Sequence, residues 1–421
     1  MDKFVIRGGK PLKGEITVSG AKNASLALMP AAILANGTVK IYNTPRLNDV
    51  FTMSKLLNSL GATTELNDHE LIINAQTINN QVAPYELVKK MRASFYVLGP
   101  LVSKFGYAKV SLPGGCAWGP RPINLHIEGL KRLGAQIDLE DGYIVAKAKK
   151  LYGARINFDT PSVGATGNVL MAAVLAKGST IINNAAMEPE ISNLAEFLVK
   201  MGAKISGINT SILEVEGVDY LDFAAIETIP DRIEAGTLLV AAAMTRGEIK
   251  INNLEVKHIY SIIAKLEESG LKMTYNGNHI KINAADFSPR SINVATGPFP
   301  GYPTDMQAQW IAYMAVAESS ATITDNIYFD RFAHVPELMR LGADITVKDN
   351  SAVVKGVKKL KGAKIMSTDL RASASLVLGG LAAEGTTEVL RIYHLDRGYE
   401  NLEMKLKALG ADIERVKTEE F

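Results

Sequence analysis

Leu60-Gly61-Ala62, an apolar helix end closed by glycine and followed by a strand-like run, decides the fold because it returns five more times. The later copies are Leu133-Gly134-Ala135, Met201-Gly202-Ala203, Ser269-Gly270-Leu271, Leu341-Gly342-Ala343 and Leu409-Gly410-Ala411, with successive glycines 73, 68, 68, 72 and 68 residues apart. Glycine after an apolar helical run is a helix C-cap, since it takes positive φ without strain, and the Val, Ile and Thr that follow favour strand. A second landmark keeps step with the first: an alanine-rich helix closed by Gly37, Gly106, Gly178, Gly247 or Gly385, with Ser319 and Ser320 at the fifth of six places. Each unit reads helix, strand, helix, strand. Units of about 70 residues exceed solenoid repeats, so two compact α/β domains of three units each are expected, with helices packed on sheets. The alanine-rich helices, such as those through Val240-Ala241-Ala242-Ala243 and Ala382-Ala383, are apolar nearly all round and belong in the core.

Composition narrows the function classes. The chain has 421 residues, 47% of them apolar, which is ample for real cores. Lys and Arg number 46 against 44 Asp and Glu, and a formal charge of +2 gives no bulk field for nucleic acid or a membrane surface. Any anionic ligand must be held by local arginines. One cysteine excludes an internal disulfide framework, and six scattered histidines without partners at ligand spacing argue against a metal site. No cofactor is expected. The start, Met1-Asp2-Lys3-Phe4-Val5-Ile6-Arg7, lacks a signal-peptide core, and no apolar stretch approaches the roughly 18 residues of a membrane span, so a cytoplasmic protein is expected.

That one cysteine, Cys116, sits in Pro113-Gly114-Gly115-Cys116-Ala117-Trp118-Gly119-Pro120-Arg121-Pro122, whose glycines and prolines cannot hold a regular helix or central strand. A lone intracellular cysteine is more often a small buried hydrophobe than a reagent. This one has no periodic apolar face beside it and carries Arg121 five residues on, able to bind an anion and tune the thiol. Cys116 is therefore a candidate acid or nucleophile.

Most of the unusual polar residues stand at starts of the apolar helices: Ser19-Gly20-Ala21-Lys22-Asn23, Met91-Arg92-Ala93-Ser94, Ser162-Val163-Gly164-Ala165-Thr166, Pro230-Asp231-Arg232-Ile233-Glu234, Pro303-Thr304-Asp305-Met306-Gln307 and Asp369-Leu370-Arg371-Ala372-Ser373. A helix N-terminus prefers anions, so Asp231 and Asp369 read as caps, whereas Lys22, Arg92 and Arg371 point to an anionic partner. Taken singly, each cation is better explained by a solvated surface; with Arg121, Arg331 and Arg397 they make a stronger case. Neither G-x-x-x-x-G-K-[ST] nor G-x-G-x-x-G is present, so side chains must grip any phosphate. Glu188, Glu190 and Asp305, taken alone, read as surface or capping carboxylates, and His126 as a core residue or a ligand contact.

These stretches, with Ala308-Gln309, Ala374-Ser375 and Asp396-Arg397-Gly398-Tyr399-Glu400, resemble in order and over nearly the whole chain the UDP-N-acetylglucosamine 1-carboxyvinyltransferase family of enolpyruvyl transferases. The resemblance implies an inside-out α/β barrel in each of two domains, 22–229 and 1–21 plus 230–421, with helix N-termini at an interdomain cleft. It also implies that phosphoenolpyruvate is bound by Lys22, Asn23, Arg121 and Arg397, and UDP-N-acetylglucosamine by Arg92, by Arg121-Pro122-Ile123-Asn124-Leu125, by Thr160-Pro161-Ser162-Val163, and by Asp305 and Ile327. Arg331 and Arg371 join the substrate contacts. Catalysis would rest on Cys116 as proton donor, Asp305 as base for the sugar 3′-hydroxyl, and Lys22. Asn124, Thr160 and Pro120 depart from the aspartate, lysine and smaller residue expected there, which touches the nucleotide-sugar contacts and the stiffness of the cysteine loop. Two alternatives stay open: the same fold acting on shikimate 3-phosphate, and a silent paralogue that binds the UDP-sugar and regulates.

If Cys116 transfers a proton, Cys116→Ala loses most turnover while still binding the UDP-sugar. Cys116→Asp restores a proton-donating group, so it recovers activity yet resists the epoxide fosfomycin, which alkylates this family's cysteine. Steady-state assays decide it, and full activity in Cys116→Ala excludes the role.

Overall fold

A period of two builds the sheets. Glu248–Asn252 buries Ile249 and Ile251, Thr38–Tyr42 buries Val39 and Ile41, and Ser320–Thr324 buries Ala321 and Ile323, while the residues between them face outward. The helices that precede such strands have no polar face to show: in Arg232–Met244 every residue from Ile233 to Met244 is buried. At about 25 cal/mol per Å² of apolar surface, each buried Leu or Ile contributes about 2 kcal/mol against the entropy of ordering the chain.

The computed structural model describes residues 1–112 and 123–419. It divides into two compact units, Gly20–Ile229 and the combination of Met1–Ser19 with Pro230–Phe421, each with its own apolar core. Among the described residues there are six four-stranded sheets, three in each unit. In a representative one, Arg155–Asn157 runs parallel to Ser179–Asn183, with the buried helix Val163–Ala173 as the crossover between them. Ile212–Glu216 and Lys204–Ser206 then add antiparallel strands on the far side. Buried helices behind, sheets with one solvated face in front, is the inside-out arrangement that the family resemblance implies, and the repeat's expectation of helices packed on sheets agrees with it. In the second unit the three buried helices, Arg232–Met244, Gln307–Met314 and Leu370–Ala382, pack on one another.

The chain exchanges strands between equivalent places. Lys13–Thr17 precedes helix Lys22–Ala31 but pairs with Glu248–Asn252, whereas Ala225–Glu227 precedes Arg232–Met244 but pairs with Thr38–Tyr42. In the sheet of the last repeat the N-terminal strand Asp2–Arg7 holds the place that a hairpin's second strand takes in the other sheets, antiparallel to Asp412–Lys417 and to Thr386–Leu390. Arg415 lies over the Phe4 ring at 5.2 Å and joins the same two ends of the chain.

The helix-closing glycines at 61, 134, 202, 270, 342 and 410 all take φ between 90° and 107°, which is why the marker recurs. The second landmark is less uniform than the sequence implies. Gly37 and Gly247 are needed for space: a Cβ would meet Phe223 at 2.9 Å and the Leu12 carbonyl oxygen at 2.4 Å, and Arg246 takes the positive φ. Each repeat also holds more strand than helix, strand, helix, strand. Hairpins such as Gln136–Glu140 with Tyr143–Lys147, turned at Asp141-Gly142 with φ of 50° and 80°, supply the added strand. Among the described residues no helix is long and apolar enough to cross a membrane.

Candidate active site

Cys116, Arg121 and Pro122, with Trp118 and Pro120 beside them, lie outside the described residues. The other proposed site residues fall into three groups.

In Gly20–Ile229, Lys22 opens helix Lys22–Ala31 and its Nζ stands 3.0 Å from Asp49 Oδ2, both side chains being largely buried. The cation at this helix start thus has a carboxylate of the protein beside it, where sequence reasoning inferred a ligand. Asn23 follows, half-buried. Gly20, two residues earlier, cannot be replaced: a Cβ would sit 1.7 Å from the Asn43 carbonyl oxygen.

The second group gathers around His126 in helix Asn124–Arg132, the helix that carries Asn124 and Leu125 and that Ile123 precedes. His126 is buried edge-on to Phe95, and its Nδ1 is 3.0 Å from Asn168 Nδ2. Asn168 Oδ1 accepts from Gly99 N at 2.6 Å, so the amide nitrogen faces the ring, and the network assigns Nδ1 as acceptor and the proton to Nε2. Burial, with the charge of Arg92 second, pushes the imidazole down to about 3. Its Nε2 edge lies against Gly164, where a Cβ would approach to 3.0 Å. Tyr96 Oη donates to the Val163 carbonyl at 3.3 Å. Arg92, Asn124-Leu125 and Ser162-Val163 are thereby brought to one neighbourhood. Ser162 is the N-cap of Val163–Ala173, accepting from Ala165 N at 3.3 Å, while Thr160 and Pro161 are exposed. Arg92 opens a 3₁₀ turn, Arg92–Val97, and not an α-helix as expected. Glu190 is buried in the first turn of Pro189–Lys200, which excludes the surface half of its reading as a surface or capping group.

The third group, in the other unit, is the most tightly built. Asp305, in the 3₁₀ turn Thr304–Met306, is neither surface nor cap: Arg331 Nη2 reaches its Oδ1 at 2.9 Å and Arg371 Nη2 its Oδ2 at 2.9 Å. Both guanidiniums are buried, at 6% and 3% side-chain exposure, while Asp305 keeps 25%. Burial raises the carboxyl's proton affinity, but Arg371 and then Arg331 outweigh it and hold Asp305 well below the usual carboxylate range. Arg371 is likewise held charged by Asp305 in spite of burial. Its backbone N–H donates to the cap Asp369 at 2.9 Å, and Asp231 caps Arg232–Met244 in the same way, as the sequence indicates. Ile327 is partly exposed and its N–H donates to Asp325. Arg397 ends the 3₁₀ segment Ile392–Arg397, which Arg415 anchors through a two-pronged pair with Asp396, 3.0 and 2.6 Å. Nothing local in the sequence marks Asp49, Asn168, Arg415 or the side-chain partners of Asp325, all of which meet residues 12 or more positions away. Among the described residues no group of three or more His, Cys, Asp or Glu is placed to hold a metal ion.

Repeat, buried helix starts and arginine-flanked carboxylate together define an enolpyruvyl-transferase fold. The enolpyruvyl transferase NikO from Streptomyces tendae superposes with a TM-score of 0.90 at 24% identity, covering 99% of each chain. EPSP synthase from Acinetobacter baumannii gives 0.77 at 18% identity over 99% of this chain and 100% of that one. The family model of EPSP synthase (3-phosphoshikimate 1-carboxyvinyltransferase) matches residues 6–406. In sequence, the UDP-N-acetylglucosamine 1-carboxyvinyltransferase of Chloroherpeton thalassium is 58% identical over 100% of this chain and 99% of its own length, and that of Trichlorobacter lovleyi 57% identical over 99% of each. The chain belongs to this family of carboxyvinyltransferases, and within it to the group of the UDP-N-acetylglucosamine 1-carboxyvinyltransferases.

The buried neutral imidazole of His126 has a measurable consequence. The unfolded chain restores its ordinary value near 6.5, so between about pH 6.5 and 3 the unfolded state binds a proton that the folded state refuses. Stability is therefore lost as pH falls through that window, with a slope of up to about 1.4 kcal/mol per pH unit from this group. His334, also pushed down to about 3 by burial and then Arg331, adds a similar slope. His126→Asn removes the first contribution only: urea unfolding from about pH 7 to 4.5 is expected to show a visibly flatter profile than wild type, and parallel profiles contradict it.

Proposed function

We propose that the protein transfers the 1-carboxyvinyl group of phosphoenolpyruvate to the 3′-hydroxyl of UDP-N-acetylglucosamine and releases inorganic phosphate, the first committed step of bacterial peptidoglycan synthesis. The observation that carries it is Asp305 held ionised between Arg331 and Arg371, a base and two anion-binding groups in one constellation. The near-full-length identity to carboxyvinyltransferases named for UDP-N-acetylglucosamine supports that acceptor over shikimate 3-phosphate. A catalytically silent paralogue is disfavoured, since Lys22, Cys116, Asp305 and Arg397 are all present. Both substrates are charged metabolites that do not cross membranes unaided, which favours a cytoplasmic location.

The proposed chemistry is addition and then elimination. Cys116 gives a proton to C3 of phosphoenolpyruvate, C2 becomes electrophilic, and the sugar 3′-oxygen bonds to it as Asp305 takes the hydroxyl proton. The resulting ketal loses a C3 proton as the C2–O bond to phosphate breaks, which restores the vinyl group. Lys22, Arg121 and Arg397 neutralise the phosphate, and Asn23 orients it. Asp305 between two guanidiniums is a weak base in the free protein. The phosphate and carboxylate of phosphoenolpyruvate draw charge from Arg331 and Arg371, so the carboxylate gains proton affinity as the anion binds. Arg92, the 121–125 segment, the 160–163 segment and Ile327 hold the nucleotide sugar.

Two labels test the reaction. Phosphoenolpyruvate with a heavy bridging oxygen delivers it to inorganic phosphate, and turnover in heavy water places deuterium in the product's vinyl group, because C3 passes through a methyl stage. Phosphate is released with UDP-N-acetylglucosamine and not with shikimate 3-phosphate. Retention of the label in the organic product, with no deuterium incorporated, excludes the roles given to Cys116 and Asp305.

A further inference from the structure

Asp325 is a carboxylate with no exposed surface, standing just after strand Ser320–Thr324. A buried carboxylate must be matched by donors, and this one has four. Oδ1 accepts from Thr296 Oγ1 at 2.7 Å and from the backbone N–H groups of Ile327 and Tyr328 at 2.9 Å each. Oδ2 accepts from Thr304 Oγ1 at 2.7 Å. Thr304 precedes Asp305, and its single hydroxyl hydrogen is committed to Asp325. Its lone pairs are thus turned toward Arg331, whose Nη1 donates to Thr304 Oγ1 at 2.9 Å while Nη2 holds Asp305. Each link has one defined donor and one defined acceptor, so the direction of the whole chain is set by the buried carboxylate.

We propose that Asp325 is a positioning residue for the base: through Thr304 and Arg331 it fixes where Asp305 is held, and through Oδ1 it fixes the loop that carries Ile327. The proposal rests on Asp305 as base and Ile327 as a nucleotide-sugar contact. One carboxylate then ties the acceptor's contact loop to the group that deprotonates the acceptor.

Asparagine at 325 separates the two halves. Its one amide oxygen stays with the three donors on the Oδ1 side, and its NH₂ faces Thr304, which must turn its hydroxyl hydrogen toward Arg331 Nη1, another donor. The Thr304 to Arg331 link is lost while the loop is kept. With Arg331 loosened, Asp305 retains chiefly Arg371, so its proton affinity rises and the acid limb of kcat moves to higher pH. The test is steady-state kinetics with UDP-N-acetylglucosamine and phosphoenolpyruvate across pH. Asp325→Asn and Thr304→Val are each expected to lower kcat about tenfold or more and raise the acid limb by about half a pH unit or more, with KM for the UDP-sugar changed less than about threefold. Thr304→Ser keeps the hydroxyl and restores both values, and the double variant is no worse than the poorer single one. If Asp325→Asn does not fold, Thr304→Val and Thr304→Ser carry the test alone. A kcat within about twofold of wild type in Thr304→Val, or a loss of kcat with the acid limb unmoved, overturns the proposal. Wild-type enzyme that releases no phosphate from these substrates overturns the proposed function itself.

Discussion

The ion triad of Arg331, Asp305 and Arg371 is the constraint around which the second unit is arranged. Two buried guanidiniums share one carboxylate, at 2.9 Å on each oxygen, so the cluster carries a net positive charge in a place where water can offset little of it. Removing one partner of such a pair costs about 3 to 5 kcal/mol, because a charge is left buried and uncompensated. In the proposed reaction, anionic phosphoenolpyruvate joins this cluster as a further member. The two guanidiniums lower the proton affinity of Asp305, and under the proposed mechanism the arriving anion would relieve that effect, linking binding of one substrate to activation of the other.

The fold supplies the rigidity that this arrangement requires. Arg371 stands on the first turn of Leu370–Ala382, a helix buried along nearly its whole length and capped by Asp369. Asp305 is delivered by the turn that leads into Gln307–Met314, and Gln307 Nε2 ties back to the Arg331 carbonyl at 3.1 Å. Side chains at the ends of packed helices lose little further freedom on binding a ligand, so less of the binding free energy goes into ordering them. The strand exchange at Lys13–Thr17 and Ala225–Glu227 completes one sheet in each unit, so neither core closes without a segment on the far side of a crossing.

The sixfold register was legible because a helix C-cap at positive φ tolerates few residues other than glycine, and a recurring Gly at fixed spacing survives any change of neighbours. The caps Asp231 and Asp369 were legible for a similar reason, being local to the helix they start. The return strands fall outside a register marked by helix-closing glycines, although Asp141-Gly142 is itself a strong two-residue hairpin signal. Lys22 and Arg371 show the limit of local reasoning. A cation at a helix start does call for an anion, yet Asp49 and Asp305 meet that need from 27 and 66 residues away, and no spacing rule reaches so far. Half of the Asp325 network was hidden for the same reason: its backbone donors Ile327 and Tyr328 are local, but its hydroxyl donors Thr296 and Thr304 come from 29 and 21 residues away, brought together by the sheet and its loops.

The state of Asp305 can be read directly by ¹³C NMR of carboxyl-labelled aspartate, with Asp305→Asn identifying the signal. In the free protein the Asp305 carboxyl shift is expected to stay at its ionised value throughout acid titration to about pH 3.5, and in Arg371→Met to begin titrating at higher pH, because one of its two cations is gone. A midpoint at or above about 4 in the wild-type protein contradicts the arginine-clamped base on which the proposed mechanism depends.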